Sequence, residues 1–584
     1  VQTAVDAGDA AALLAAVPAG RRVALVDPRF VGHVHALRLG LTDPRFPAAT
    51  VPGALTVQPE ARGALLRALR RTTAAVGAGA PVVEPDADPA PEDRTVPGRI
   101  AVALEIEGTA VKRPELGSLT AAVPTDAGQR AAAETARDEV DDEAVRLRSA
   151  VKAHDGFFTT FCISPYSRYL ARWCARRGLT PNQVTTASLI TALIAAGSAA
   201  TGTRGGYVAA GILLLVSFVL DCTDGQLARY SLQYSTMGAW LDATFDRAKE
   251  YAYYAGLAIG AARGGDDVWV LALGAMVLQA CRHVVDFSFN EANHDAVANT
   301  SPTAALSDKL DNVGWTVWVR RMIVLPIGER WAMIAVLTAL TTPRIVFYAL
   351  LIGCSLAACY TTAGRLLRSL TRRASRTDRA AQALADLADS GPLAQGVAAV
   401  APGLRGTFTV PAVALLGTLV MIGGALFLPY GSWLTVAAAA VYVALSGLAV
   451  ARPLKGALDW LVPPFFRAAE YVTILVLAAR SDVPHAVPAA FGLVSAVAYH
   501  HYDTVYRIRG GTGAPPQWLV RTIGGHEGRT VLVAVLAAVL THTSGFTTAL
   551  TALAVAVALV VLVESIRFWV SSSAPAVHDE GELA

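Results

Sequence analysis

The stretch Asp221-Cys222-Thr223-Asp224-Gly225-Gln226-Leu227-Ala228-Arg229, followed by Gly238-Ala239-Trp240-Leu241-Asp242-Ala243-Thr244-Phe245-Asp246, sets four carboxylates at the edge of two apolar runs. Residues 206–220 lead into the first pair and residues 251–262 follow the second. Both runs read as membrane-crossing helices once their flanking turns are included. Asp221 and Asp224 are spaced i, i+3; Asp242 and Asp246 are spaced i, i+4. Each pair therefore shares one helix face. Four acids aimed at one point repel each other and are costly beside hydrocarbon, unless divalent cations sit among them. Oxygen-only ligands select a hard ion, Mg2+ or Mn2+, of the kind that neutralises charge in displacements at phosphorus. Gly225 permits close backbone approach, and Arg229 supplies a fixed cation.

Composition agrees with a membrane protein. Across 584 residues, apolar side chains make up 54% and charged ones only 16%, with a mean hydropathy of +0.44. A net charge of +3 gives no footprint for nucleic acid. The six cysteines form no C-x-x-C pair and read as small buried residues rather than zinc ligands. No charged segment followed by a short apolar stretch opens the chain, so no secretory signal is expected.

The pattern D-x2-D-G-x2-A-R-x8-G-x3-D-x3-D resembles the motif of the CDP-alcohol phosphotransferase family at all eight fixed positions. The resemblance covers roughly residues 155–370. It implies transfer of a phosphoalcohol group from a CDP-alcohol donor to the hydroxyl of a polar alcohol acceptor such as inositol phosphate, with release of CMP. It assigns Asp221, Asp224, Asp242 and Asp246 to the metal, and Asp246 also to the acceptor's proton. Asp221, Gly225, Arg229, Gly238 and Asn182 of the Thr180-Pro181-Asn182 segment fall to the CDP moiety. Arg282 and Arg330 are candidates for an acidic group on the acceptor, although the positive-inside rule alone would also place them. His283 reads as a helix-end histidine rather than a ligand.

The fold class expected is mainly α: a polytopic helical membrane protein with a small N-terminal α/β domain. Residues 1–150 form that domain. A strand is expected at 22–26 and another at 99–106, with helical periodicity at 60–77 and 125–152 and an acidic, proline-rich loop at 84–95. The domain sits where some family members carry a fused cytidylyltransferase, and the layout and the entry segment Ala150–Phe158 resemble the bifunctional inositol-phosphate cytidylyltransferase group. No glycine-rich phosphate loop follows the first strand, which implies a degenerate or differently employed domain. Residues 151–366 are the catalytic membrane domain, entered by an interfacial helix at 164–178. Six spans are expected near 184–202, 206–224, 241–262, 267–287, 329–342 and 344–364. A polar linker with a short helical segment at 367–405 follows, then six more spans in 406–571 (near 407–428, 432–449, 464–481, 484–503, 529–545 and 547–570) and a disordered tail at 572–584. Arginines cluster on the side of the acids, so the site and the N-terminal domain are expected on the cytoplasmic face of the cell membrane.

The second six spans read as a repeat of the first. Phe245-Asp-Arg-Ala-Lys-Glu-Tyr251 parallels Phe465-Phe-Arg-Ala-Ala-Glu-Tyr471, and Arg282–Asp286 parallels Tyr499–Asp503. Gly328-Glu-Arg330 is echoed by Glu527-Gly-Arg529. The acids do not recur: Asp224 meets Gly447 and Asp246 meets Phe466. The partners expected are the two substrates and membrane lipid, in a homodimer or an internal pseudo-dimer whose acid-free half takes a second protomer's place. A twelve-span transporter and a silent membrane scaffold are the competing classes.

Overall fold

The computed structural model describes residues 7–18, 21–41, 46–77, 95–152, 155–293, 322–371, 376–403 and 408–571. The loop expected at 84–95 and the tail at 572–584 fall almost wholly outside them.

The N-terminal region mixes six helices, α1 (Ala7–Ala16), α2 (Val34–Leu41), α3 (Arg62–Gly77), α4 (Val96–Ile106), α5 (Ala127–Asp138) and α6 (Asp142–Ser149), with six short strands. The strands are β1 (Val23–Val26), β2 (Val31–Gly32), β3 (Ala48–Val51), β4 (Ala54–Val57), β5 (Val111–Lys112) and β6 (Ala121–Ala122). A four-stranded sheet runs β1-β4-β3-β5, and β2 pairs with β6. Only the β3–β5 pairing in the larger sheet is parallel. The first expected strand is β1. The second is not a strand: residues 99–106 belong to α4. Thr95 caps that helix by accepting from the Gly98 N–H, and Pro97 sits in its first turn. Ile100, Ala101, Ala103 and Leu104 are buried, a helical rather than alternating pattern. The periodicity at 125–152 resolves into α5 and α6, because Asp141 starts a second helix by accepting from Ala144 N–H.

Among the described residues, sixteen further α-helices follow. α7 (Ser164–Arg176) precedes α8 (Pro181–Ala200), α9 (Arg204–Ser231), α10 (Thr236–Arg263), α11 (Trp269–Asn293), α12 (Ile327–Leu340) and α13 (Pro343–Thr371). Then come α14 (Asp378–Ala388), α15 (Pro392–Val400), α16 (Thr409–Phe427), α17 (Trp433–Val450), α18 (Val462–Arg480), α19 (Ala486–Arg509), α20 (Gln517–Thr522), α21 (Gly525–Val539) and α22 (Gly545–Ser571). Among the described residues, eight helices are long and apolar enough to cross a membrane: α8, α9, α11, α13, α16, α17, α18 with the turn before it, and α22. The other four expected spans are also helices, but α10 carries too many charges, α19 is made less apolar by its Tyr499-His500-His501-Tyr502-Asp503 run, and α12 and α21 have only 14 and 15 residues. At ~1.5 Å per residue those two fall short of a ~30 Å hydrocarbon layer.

α7 fits an interfacial helix. Ser167, Ala171 and Cys174 are buried, while Tyr166, Tyr169 and Trp173 are exposed. Arg168 and Arg172 lie over the Tyr169 ring, and Arg177 over Trp173. The stretch expected as a polar linker with a short helical segment is helical over most of its described length: α13 runs on to Thr371, and α14 and α15 fill much of the rest. In α14, Ala380, Ala381, Ala383, Leu384, Leu387 and Ala388 are buried, so its apolar stripe is core.

The two sets of six helices pack alike. α8 lies against α9 and α10, α9 against α12, and α11 against α13; α16 lies against α17 and α18, α17 against α21, and α19 against α22. Between the sets, α10 packs on α19 and α11 on α18. Trp240 stacks on Trp569 at 6.1 Å and Trp269 meets Phe491 edge-on across this seam.

Candidate metal and nucleotide site

Helices α9 and α10 follow one another across a short turn, and both pack on α8. Leu232 ends α9 in the left-handed region at φ 54°, and Ser235 caps α10 by accepting from the Gly238 N–H at 2.9 Å. Both helices continue past their apolar runs, so the acids lie on helix surfaces rather than in the loop. Asp224 is seven residues from the end of α9, about 10 Å.

Asp221, Asp242 and Asp246 each place a carboxylate oxygen within 4.8 Å of the others. Asp224 is not part of this close group. It is 4% exposed, takes a hydrogen bond from Thr185, and leaves its Oδ2 buried with no hydrogen-bond partner. A hard cation at ~2.0–2.1 Å from its oxygens spans ~4.2 Å between opposite ligands, so a small closure of the close group would complete a coordination shell. The orphaned Oδ2 has the chemistry to join it. The donor set fits a divalent cation.

The residues expected around the nucleotide lie on α8, α9 and α10, the last two of which carry the acids. A Cβ on Gly238 would meet Asn182 Oδ1 and Ser235 Oγ, both at 2.7 Å. Asn182 and Gly238 are thus neighbours across the α8–α10 contact, and glycine is required there by space. The nearest atoms that a Cβ on Gly225 would meet are those of the Arg229 guanidinium, at 3.4 Å or more. Arg229 donates from Nε to the Ala150 carbonyl at 2.6 Å, fastening the N-terminal region to α9.

The two arginines proposed for the acceptor differ. Arg330 is 2% exposed and faces Glu250, with Nε 3.2 Å from Oε1. Arg247 reaches Oε2 of the same carboxylate at 2.9 Å, and Tyr254 donates to Oε1 at 2.7 Å. Arg330 therefore has an internal partner. Arg282 is 7% exposed and donates to the Val324 carbonyl. His283 lies between Gln279 and Tyr502, hydrogen-bonding both, as a helix histidine at the seam.

Sequence reasoning missed Lys249. Its side chain is 0% exposed, pairs with Asp221, lies 2.9 Å from Asp246 Oδ1, and donates to Ser188 Oγ at 3.2 Å. The signal was present: Lys249 follows Asp246 by three residues, one helical turn.

The second half repeats the Glu250 arrangement. Arg467 lies 2.9 Å from Glu470, and Arg529 Nε donates to Glu470 Oε1 at 2.5 Å. Here a further acid joins: Asp389, between α14 and α15, sits 2.9 Å from Arg467, 2.8 Å from Arg529 and 3.0 Å from His500. Burial raises the pKa of the Asp389 carboxyl, but Arg467 and Arg529, with the His500 hydrogen bond, outweigh it and hold it well below the ordinary range. Glu329 accepts from the Phe158 N–H, and Glu527 accepts from the Gly391 and Ala394 N–H groups at 3.0 Å. Each closes an incoming segment onto its own set of helices.

Comparison with known proteins separates the halves. Residues 178–356 match the family model described as CDP-alcohol phosphatidyltransferase. Residues 378–584 match one described as a family of unknown function (DUF5941). A phosphatidylinositol phosphate synthase of Streptomyces avermitilis is 33% identical over 131 residues, 22% of this chain and 51% of that relative. An archaetidylinositol phosphate synthase of Pyrococcus horikoshii is 30% identical over 113 residues, 19% of this chain and 58% of the relative. A bifunctional IPC transferase and DIPP synthase of Aquifex aeolicus is 31% identical over 132 residues, 22% of this chain and 29% of the relative. The chain thus spans between about a third and three fifths of the curated relatives it matches. The eight-position motif and the acids of α9 and α10 lie inside the segment, residues 178–356, that matches the CDP-alcohol phosphatidyltransferase family model.

Proposed function

We propose that the protein is an integral membrane transferase. It would move a phosphoalcohol group from a CDP-alcohol to the hydroxyl of a polar alcohol and release CMP. The observation that carries this reading is the convergence of Asp221, Asp242 and Asp246, with the unpartnered Asp224 Oδ2 beside them, inside the matched segment. The names of the three relatives favour inositol phosphate as the acceptor.

Asp221, Asp224, Asp242 and Asp246 would hold Mg2+ or Mn2+, which when bound supplies charge neutralisation at the diphosphate and the departing CMP. Asn182, Gly238 and Gly225 line the space for the cytidine and its phosphates, and Arg229 is placed to turn from Ala150 to a phosphate oxygen. The acceptor oxygen bonds to the phosphorus that carries the alcohol. The bond from that phosphorus to the CMP oxygen breaks, and the hydroxyl proton passes to Asp246. Arg282 and Arg330 are the candidates to meet an acidic group on the acceptor, and Arg330 also faces Glu250.

The acid-free half would stand in for a second protomer. In favour is the reciprocal seam: the third helix of the first set packs on the fourth of the second, and the fourth on the third. A two-fold relation requires this exchange. We further propose that the domain division at 150 and 366 holds, that residues 1–150 have no cytidylyltransferase activity, and that the site faces the cytoplasm. A transporter reading is not favoured, since the acids cluster on α9 and α10. Incubating purified protein with a labelled CDP-alcohol, Mg2+ and candidate acceptors separates enzyme from transporter or scaffold by CMP release.

A further inference from the structure

The second half holds a cavity of about 390 Å3, bounded by α14, α15, the end of α17, α19 and the segment that leads into α20. Its lining lies wholly within residues 378–584, the stretch that matches the family of unknown function, and shares no residue with the carboxylate site. Small side chains leave the space: Ala385, Ala398, Ala399 and Ala451 stand on its walls. The volume is at the lower end of the ~300–1,000 Å3 usual for small-molecule sites. The polar part of the lining is three glutamines, Ser390, Thr504 and the two acids Asp386 and Asp389. No lysine, arginine or histidine is among the lining residues.

The two acids differ in how their charge is met. Asp389 is 4% exposed and is held by Arg467, Arg529 and His500. Asp386, one helical turn earlier on α14, is half-buried and accepts one hydrogen bond, from Gln382 Nε2 at 2.9 Å. Among the described residues, no cation pairs with it. Burial raises the pKa of its carboxyl, and the Gln382 bond offsets that only in part. A carboxylate in such a place gains from a cation that arrives with a ligand. Ser390 adds an independent sign of an occupant: its Oγ is buried and has no hydrogen-bond partner. The lining is also pre-formed. Gln395 Nε2 donates to the Ser390 carbonyl at 2.9 Å and to Gln517 Oε1 at 3.2 Å, tying α15 to α20.

We propose that this cavity is a binding site for a small organic ammonium that also carries hydroxyl groups, of the amino sugar or amino alcohol class, with the ammonium on Asp386 and the hydroxyls on Ser390 and the glutamine amides. A phosphate or carboxylate ligand would meet Asp386 with no cation in the lining to receive it. A neutral polyol would satisfy the amides and leave the Asp386 charge unmatched. The site does not depend on the metal-centre reading, because the two share no residue.

The test is isothermal titration calorimetry of the purified full chain in detergent, at pH 7 in an amine-free buffer. Glucosamine and ethanolamine are the ammonium probes; glucose and glucose 6-phosphate are the neutral and anionic controls. The expected result is saturable binding of at least one ammonium probe at one site per chain, with both controls about tenfold weaker or more. Asp386→Asn, which keeps an acceptor for Gln382, should weaken that binding about tenfold or more, as loss of a hydrogen bond to a charged group does. Ala385→Trp, at an exposed position on the cavity wall, should abolish it. A thermal melt identifies the folded variants. Absence of saturable binding for both ammonium probes would overturn the proposal, as would glucose or glucose 6-phosphate binding as tightly as glucosamine. A folded Asp386→Asn that binds like the wild type would overturn it too. The wild-type selectivity decides the matter even where a variant fails to fold.

Discussion

Replacing Glu250 by Gln tests the buried ion triad most sharply, because its counterpart in the second half provides an internal reference. The Glu250 side chain is 1% exposed and serves Arg247 at 2.9 Å and Arg330 at 3.2 Å. Removing its charge leaves two buried guanidinium groups short of an acid, and the next acid near Arg247 is Asp246, already engaged by Lys249. Breaking a buried pair from one side costs ~3–5 kcal/mol. In the second half, Glu470→Gln leaves Asp389 within 2.9 Å of both Arg467 and Arg529. The loss there is closer to that of a buried hydrogen-bonding partner, about 1–3 kcal/mol. At ~2 °C per kcal/mol, the apparent unfolding temperature should fall by about 6–10 °C for Glu250→Gln and about 2–6 °C for Glu470→Gln. Intrinsic tryptophan fluorescence during a detergent thermal melt reads both. A larger shift for Glu470→Gln than for Glu250→Gln would refute the charge count, and no shift in either would refute the buried triads.

Other outcomes follow from the same geometry. Gly225→Ala should fold at least as stably as wild type, gaining up to ~1 kcal/mol of helix propensity, yet lose CDP-alcohol binding measured by equilibrium dialysis; retained binding would show that the nucleotide does not approach that surface. Gly238→Ala should weaken the same binding and also destabilise α10, since its Cβ would displace Asn182 and the Ser235 cap; a variant indistinguishable from wild type in both assays would remove Asn182 and Gly238 from the site. Asp389 has a depressed folded pKa, so its stabilisation is fully present above its unfolded value of 3.8 and is lost as pH falls through the folded value. Asp389→Asn should therefore lower the melting temperature throughout the range from pH 5 to 8, with the gap to wild type closing only below about pH 4; a gap that closed by pH 6 would contradict this.

Legibility of the fold and site in the sequence followed the physics of each segment. The carboxylate pairs were legible because helical spacing alone puts each pair on one face. Eight spans were legible from unbroken apolar length. The remaining four were blurred: α10 interleaves charges, α19 carries a run of Tyr and His, and α12 and α21 have only 14 and 15 residues. Residues 99–106 misled because Ile100, Val102, Leu104 and Ile106 alternate by type, while burial follows Ile100, Ala101, Ala103 and Leu104. Alanine hides in such patterns, being small enough to be core yet uninformative by hydropathy. The same holds for α14, whose alanine stripe reads as linker and packs as core. Lys249 was passed over because a lysine in a helix is usually solvated; only packing reveals that Ser188 and Trp331 close over it.

The central claim is that the α9–α10 acids catalyse transfer from a CDP-alcohol. The most direct measurement is release of CMP by the purified full chain from CDP-diacylglycerol with inositol phosphate, in the presence and absence of Mg2+, beside the Asp246→Asn variant. The account predicts CMP release that requires both the acceptor and the divalent ion and falls to background in Asp246→Asn while that variant remains folded. CMP release by Asp246→Asn at near the wild-type rate would contradict it.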